Sequence, residues 1–394
     1  MKAVILAAGE GRRLRPFTET MPKVMIPVAN KPILEYVVDA VKNSGIGEII
    51  MIVGYKKEAI MKYFEDYEDI KITYVVQDKQ LGTAHALMQA REHIHELFIV
   101  LAGDNLIDKE SILKLIKNES KYSILIKKHD HPSKYGAVFV EKNVLKKIVE
   151  KPKEDAVNFI STGMYKLPDS VFEIVEDLLS QGVYDLSSVI QTLVDQGQMV
   201  GTVTADLWMD VVYPWDLTYV NEAIIRNTPA SVGGIIEKGV VIKGSVLVGN
   251  DTKIYSGCYI VGPVVIGDGC EIGPNACIFP STAIGNNSVV HPFSEIRNSV
   301  IMGDVRIGSN SFISHSIVGR GSIVGNNFSS TFEKATIEIE GEFKKLQNIG
   351  SIIGEDCTIG SHVVMEPGII LGIRCEISPM KRIANNVSSE SKVM

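Results

Sequence analysis

The first 257 residues of this 394-residue chain contain no cysteine. The five that occur, Cys258, Cys270, Cys277, Cys357 and Cys375, form no CxxC pair, so neither a disulfide framework nor zinc is well supported. The formal net charge is −7 and no basic block or arginine-rich face is present, which argues against a polynucleotide partner. The longest apolar runs, such as residues 49–53 and 97–102, fall far short of the ~20 residues of a membrane span. Lys2 leads into a strand pattern and then glycine, with no cleavable apolar segment. These absences lead to the expectation of a cytoplasmic protein with no nucleic-acid and no membrane partner. What remains is ordinary soluble composition, 45% hydrophobic and 22% charged, in a chain long enough for two or three domains.

The chain is organised around its opening residues, MKAVILAAGEGRRLRPFTETMPKVMIP. Ala3 to Ala7 form a short apolar run of the kind that a buried parallel strand uses to deliver the chain to a ligand turn. The run stops at Ala8, Gly9 and Gly11. Glycine permits positive φ and lets backbone N–H groups approach an anion. Arg12, Arg13, Arg15 and Lys23 follow, and cations beside a glycine turn suit a triphosphate. GEGRRL lacks the third glycine of a dinucleotide fingerprint, and no GK[ST] follows as a Walker loop requires. A solvated basic loop is the plainer reading of the same residues.

Downstream, apolar residues at helical spacing (Ile33, Leu34, Val37, Val38, Val41) alternate with the strand patterns EIIMIVGY, ITYVVQD and FIVLAGD. Strands separated by single helices predict a Rossmann-like, doubly wound and mainly parallel sheet, in an α/β domain. Ligands of such sheets sit beyond the carboxyl ends of the strands. Gln77, Gly82 and Thr83 fall there, in VVQDKQLGTAHA. A side-chain amide donates to and accepts from a base edge, while Thr83 reads equally as a helix N-cap. His85 is expected on a helix surface or in packing. Asp104 ends the strand of LAGDN, where a magnesium ligand or a turn residue is expected, and Asp210 in LWMDVV supplies a second carboxylate. Between them lie Gly136 in KYGAVFV, Glu150 and Lys151 in VEKPKE, and Ser161 and Thr162 in ISTGMY. Glu150 and Lys151 read equally as a solvated strand end.

After a helix ended by Pro229 the period changes. Ile254, Ile260, Ile266, Ile272, Ile278, Ile284, Val290 and Ile296 recur every six residues. Met302, Ile307, Ile313, Val318 and Ile323 continue with two five-residue steps, and Ile353, Ile359, Met365, Leu371 and Ile377 resume after an interruption. A six-residue apolar period with small residues between predicts an all-β parallel β-helix, three hexapeptides to a turn. Cys258, Cys270, Cys357 and Cys375 fall in the small slot and are expected to be core fillers. Residues 1–228 are expected to form the catalytic domain and 229–394 the hexapeptide domain, with an inserted arm near 326–350.

AAGEGRRLRPFT, then Pro22 and Lys23, then KPILEY closely resembles the signature of sugar-1-phosphate nucleotidylyltransferases with a C-terminal left-handed β-helix. The resemblance extends to bifunctional N-acetylglucosamine-1-phosphate uridylyltransferase/acetyltransferases and to long-form glucose-1-phosphate thymidylyltransferases. It implies transfer from UTP or dTTP to N-acetylglucosamine-1-phosphate or glucose-1-phosphate, releasing pyrophosphate. Ala8, Gly9 and Gly11 would wrap the triphosphate, Arg13 and Lys23 hold its phosphates, and Gln77, Gly82 and Thr83 lie at the base. Asp104 and Asp210 would bind Mg2+. Gly136, Glu150, Ser161 and Thr162 would line the sugar pocket, and Lys151 meet the sugar phosphate. QLGTAHA leans towards the uridylyl branch, while VEKP and Ser161, where that branch usually carries Asn, lean towards glucose-1-phosphate. His315, in FISHSIVG, falls about one place from the histidine that activates the amino group in the bifunctional enzymes, and acetyl-CoA is implied only if that second activity exists. Homotrimers or higher homo-oligomers through the β-helix are implied as well. An inactive regulatory subunit, the alternative of another class, would normally have lost Arg13, Lys23, Asp104 or Asp210, and all four are present.

Overall fold

The computed structural model describes residues 1–394 except 131, 133, 134, 151 and 153–156. The chain divides into two compact units, residues 1–10 with 33–210 and residues 11–32 with 211–394.

In chain order the first unit contains β1 (Ala3–Ala7), α1 (Ile33–Asn43), β2 (Glu48–Val53), α2 (Lys57–Tyr63), β3 (Lys71–Val76), α3 (Thr83–Met88) and β4 (Phe98–Ala102). β5 (Asn105–Ile107), α4 (Lys109–Lys117), β6 (Tyr122–Lys128), β7 (Gly136–Glu141), β8 (Val144–Glu150) and β9 (Phe159–Leu167) follow. α5 (Val171–Ser180), α6 (Leu186–Asp195), β10 (Val200–Thr204) and β11 (Trp208–Asp210) complete it. One nine-stranded sheet runs β3-β2-β1-β4-β9-β6-β10-β8-β7. Its first four strands are parallel. Residues 49–53 of β2 and 98–101 of β4 are fully buried, as strands covered on both faces require. The other half is mixed: β9 is antiparallel to β4 and β6, and β8 is antiparallel to β7 and β10. Lys142 and Asn143, with φ of 50° and 61°, turn β7 into β8, the left-handed pair that a tight hairpin uses. A single apolar cluster reaches from Val4 to Val200 and includes Phe98 stacked on Phe172 at 5.7 Å.

The second unit is a parallel β-helix of three sheets with eight, nine and eight strands. Val246 pairs with Val264, Lys253 with Glu271 and Tyr259 with Cys277, an advance of 18 residues on each face. The isoleucines at six-residue spacing from Ile254 to Ile296 are fully buried, and Cys258, Cys270, Cys357 and Cys375 are buried with them. Serines in the same slot donate to the neighbouring coil, Ser288 Oγ to Met302 O at 3.1 Å and Ser294 Oγ to Gly308 O at 2.9 Å. Asn275, Asn287, Asn310 and Asn327 turn corners at positive φ, where Asn is enriched.

The register shortens to 17 residues where Ala283 meets Val300, Ile296 meets Ile313 and Ile301 meets Val318. The inward column therefore passes through Ile301 and Val324, not through Met302 and Ile323 as the spacing predicts. Ile323 is 47% exposed, because a one-residue slip in β-structure turns a side chain to the other face. Ser329 and Ser330 still pair with Phe312 and Ile313 inside the stack. The interruption itself is an antiparallel hairpin of Glu333–Ile339 and Glu342–Ile349. In the same unit α7 (Asp216–Arg226) packs Ile225 with Ala29, Val265 and Ala283. Asn221 joins these pieces by accepting from Ala29 N at 3.0 Å and donating to Ser281 O at 2.9 Å.

Candidate functional site

In the first unit the carboxyl end of β1 leads into Ala8, whose carbonyl accepts from Tyr55 N at 3.1 Å. Gly54 allows this approach: a Cβ there would lie 2.8 Å from Gln80 Nε2 and 2.9 Å from Ala8 Cβ. The glycine turn and the loop after β3 thus meet at Gly54. Gln77 is 3% exposed, and its Nε2 lies 3.2 Å from Gly82 O and 2.9 Å from His85 Nδ1. Gly82 tolerates no side chain, since a Cβ would stand 2.4 Å from Tyr184 O. Gly82, not Thr83, occupies the N-cap position of α3. Thr83 Oγ1 instead accepts from Leu186 N at 2.9 Å, tying α3 to α6.

β4 runs to Gly103, which donates to Leu6 O at 2.9 Å. Asp104 follows, and in the two-stranded ribbon of β5 and β11 its neighbour Asn105 lies opposite Asp210. Pairing thereby sets Asp210 across from the residue that follows Asp104, two half-buried acidic residues from distant parts of the sequence. Asn105 also donates to Thr162 O at 3.2 Å, and Thr162 Oγ1 donates to Leu125 O at 2.7 Å. A bulge in β9 between Ser161 and Met164 makes this possible, with Gly163 at φ +76°. Ser161 Oγ lies 3.2 Å from Tyr165 Oη. Tyr165 is fully buried, and burial first, then the nearby Glu150 and Asp185 charges, push its phenol up to about 12; it remains a neutral hydroxyl. Gly136 pairs with Glu150, and a Cβ on Gly136 would lie 3.1 Å from Glu150 Oε2. Glu150 is exposed and accepts from Ser187 Oγ at 3.2 Å. Lys151 lies outside the described residues.

The second unit carries the remaining cations. Gly11 has φ +74°, and a Cβ would stand 2.7 Å from Lys23 Cβ, so glycine is required for the loop to close on Lys23. The Arg13 guanidinium lies 5.9 Å from the centroid of Tyr213, a ring stacked on Trp215 at 4.8 Å. Tyr213 Oη donates to Glu342 Oε2 at 3.0 Å, and Lys344 Nζ sits 5.4 Å above the same ring. Hydrogen bonds from Lys344 and Tyr213 hold the Glu342 carboxyl below its usual range. His315 occupies a β-helix corner at φ 50°. Its ring stacks on Phe332 at 4.1 Å, and Nδ1 lies 2.8 Å from Ser314 Oγ. Burial, then Arg297, lowers its tendency to protonate, with Glu222 opposing.

Sequence reading misses the partners that only folding supplies. His85, Tyr165, Ser187, Asn105 and Tyr213 each touch a residue singled out above. His85 carries a local signal, standing one helical turn beyond Gly82 on α3, and Asn105 and Tyr165 lie inside LAGDN and ISTGMY; Ser187 and Tyr213 carry none.

Residues 2–227 match the Nucleotidyl transferase family, and residues 260–393 match the GMPPB C-terminal domain. Among curated relatives, Bifunctional protein GlmU of Methanococcus vannielii is 35% identical over 100% of this chain and 97% of its own length. Bifunctional sugar-1-phosphate nucleotidylyltransferase/acetyltransferase of Sulfurisphaera tokodaii is 31% identical over 96% of each chain. "Probable mannose-1-phosphate guanylyltransferase 3" of Oryza sativa subsp. japonica is 31% identical over 100% of each. A solved Bacillus anthracis structure named for glucose-1-phosphate thymidylyltransferase shares the fold with a TM-score of 0.54 at 24% identity, covering 59% of this chain and 97% of that one. The chain belongs to the nucleotidyl transferase family and joins that fold to a parallel β-helix.

Proposed function

We propose UTP or dTTP as donor and N-acetylglucosamine-1-phosphate or glucose-1-phosphate as acceptor in the nucleotidyl transfer to a sugar-1-phosphate that this protein catalyses. The observation that carries the reading is the strand pairing that sets Asp210 opposite Asn105, beside Asp104. Among the described residues no group of three or more His, Cys, Asp or Glu is arranged for a metal. Two carboxylates plus substrate oxygens are the donor set that Mg2+ usually takes, so the fit is good. Bound there, magnesium would neutralise charge on the triphosphate.

The chain's own part is positioning. A sugar-1-phosphate oxygen attacks the α-phosphorus; one P–O bond forms, the bond to pyrophosphate breaks, and pyrophosphate leaves. Arg13 and Lys23 would hold the phosphates, and Lys151 would hold that of the sugar. A Cβ at Gly9 would meet nothing among the described residues within 4 Å, which fits a glycine kept free for the triphosphate, with Ala8 and Gly11 beside it. Gln77, Gly82 and Thr83 are assigned to the base, and Gly136, Glu150, Ser161 and Thr162 to the sugar. Homotrimers or higher homo-oligomers through the β-helix belong to the same proposal. Removing one electrostatic stabiliser costs about 100-fold or more in kcat. Asp104→Ala and Arg13→Ala are expected to lose at least that in a pyrophosphate-release assay, with melting curves unchanged; turnover near wild type in either variant rejects the assignment.

A second reading, acetyl transfer to glucosamine-1-phosphate from acetyl-CoA, is favoured by relatives named bifunctional along the whole chain and by the His315 ring, whose Nδ1 is held by Ser314.

A further inference from the structure

The Gln77 carboxamide has two ends, and the protein engages one of them. Nε2 lies within hydrogen-bonding distance of both Gly82 O and His85 Nδ1. Turning the amide over would set its oxygen against the Gly82 carbonyl, acceptor against acceptor, so Gly82 decides which end is nitrogen. With that nitrogen donating, His85 Nδ1 must accept, which puts the imidazole proton on Nε2. The carboxamide oxygen receives no hydrogen bond from the described residues and is not among the occluded polar atoms without a partner, although Gln77 as a whole is only 3% exposed. The Gly82 N–H likewise finds no acceptor among the described residues.

We propose that His85 is a positioning residue for base selection: by accepting from Gln77 Nε2 it holds the carboxamide oxygen outward, so that the site takes a nucleoside triphosphate whose base presents the imide edge of uracil or thymine. This rests on the reading that Gln77 faces the base. The imide N–H donates to the Gln77 oxygen, and the adjoining carbonyl accepts from Gly82 N–H. Cytosine in the same seat sets a ring-nitrogen acceptor against the oxygen and an amine against the N–H. Two mismatches replace two hydrogen bonds, and a buried polar group left unpaired discriminates more strongly than a lost contact.

The test compares kcat/KM for UTP, dTTP, CTP, GTP and ATP, with the sugar-1-phosphate that supports turnover, in wild type, His85→Ala, His85→Gln and Gln77→Ala. The UTP-to-CTP ratio is expected to fall about 10-fold in His85→Ala, the scale of one hydrogen bond, while KM for the sugar-1-phosphate stays constant. His85→Gln, whose side-chain carbonyl also accepts, is expected to recover part of the ratio. A ratio that survives His85→Ala but collapses in Gln77→Ala makes His85 merely structural and overturns the proposal, leaving the Gln77 reading intact. A ratio that survives both removes Gln77 from the base and overturns both. Preference of the wild type for CTP, GTP or ATP also overturns it. Should His85→Ala fail to fold, His85→Gln against Gln77→Ala decides: a ratio in His85→Gln as low as in Gln77→Ala counts against the proposal.

Discussion

Gly9 and Gly11 stand two residues apart in one motif, yet the packing demands glycine only at the second. Gly11 is demanded by the fold, through its positive φ and the closeness of Lys23. At Gly9 a Cβ would meet nothing among the described residues within 4 Å, so the packing does not demand glycine there, and the triphosphate role proposed above is what a Gly9→Ala variant would test. A similar separation of fold from chemistry applies to His315. Its φ of 50° matches the corner slots that Asn310 and Asn327 fill elsewhere in the stack. Asn tolerates that conformation, so His315→Asn is expected to keep the wild-type melting temperature while abolishing any acetylation of glucosamine-1-phosphate by acetyl-CoA. Acetyl transfer that persists in the variant excludes His315 as its base. Candidates such as Gln77, Asp104 and Asp210 were legible because they lie in contiguous motifs at strand ends. Their partners were not: the His85 contact depends on a glycine loop folding back, and the Asn105–Thr162 contact on a bulge in β9.

At the scale of elements, the β-helix was legible from its period because every coil repeats one burial pattern. The placement of its short steps was not. Adjacent Ile301 and Met302 are both apolar and both buried, and only the pairing register shows which one joins the inward column. The antiparallel half of the nine-stranded sheet was hidden for a related reason: alternation of strand and helix predicts parallel neighbours, whereas β7 and β8 are joined by a two-residue turn, and β9 returns between β4 and β6. The small slot gives a direct test. Cys258, Cys270, Cys357 and Cys375 are buried, and Cys277, on the outer face, is half-buried. Burial raises the Cys258 and Cys270 thiols and pushes Cys357 up to about 12, so the reactive thiolate is scarce there near neutral pH. A thiol titration of the native protein is expected to modify one cysteine quickly, Cys277, and all five after denaturation. Rapid labelling of two or more would contradict the packing of the stack.

For the molecule as a whole, one relative matched along its full length is named for mannose-1-phosphate and a guanylyl group, and another only for a sugar-1-phosphate, so membership in the family leaves the substrate to be decided by side chains. Ser161, assigned to the sugar in the proposal above, sits at the bulge of β9 with its hydroxyl 3.2 Å from Tyr165 Oη. The most direct measurement is a pyrophosphate-release screen of UTP, dTTP, GTP, CTP and ATP against N-acetylglucosamine-1-phosphate and glucose-1-phosphate with magnesium present. Turnover with UTP or dTTP and at least one of the two sugars, lost when magnesium is chelated, is the expected result. Pyrophosphate release from none of these pairs, or turnover that persists after chelation, would contradict it.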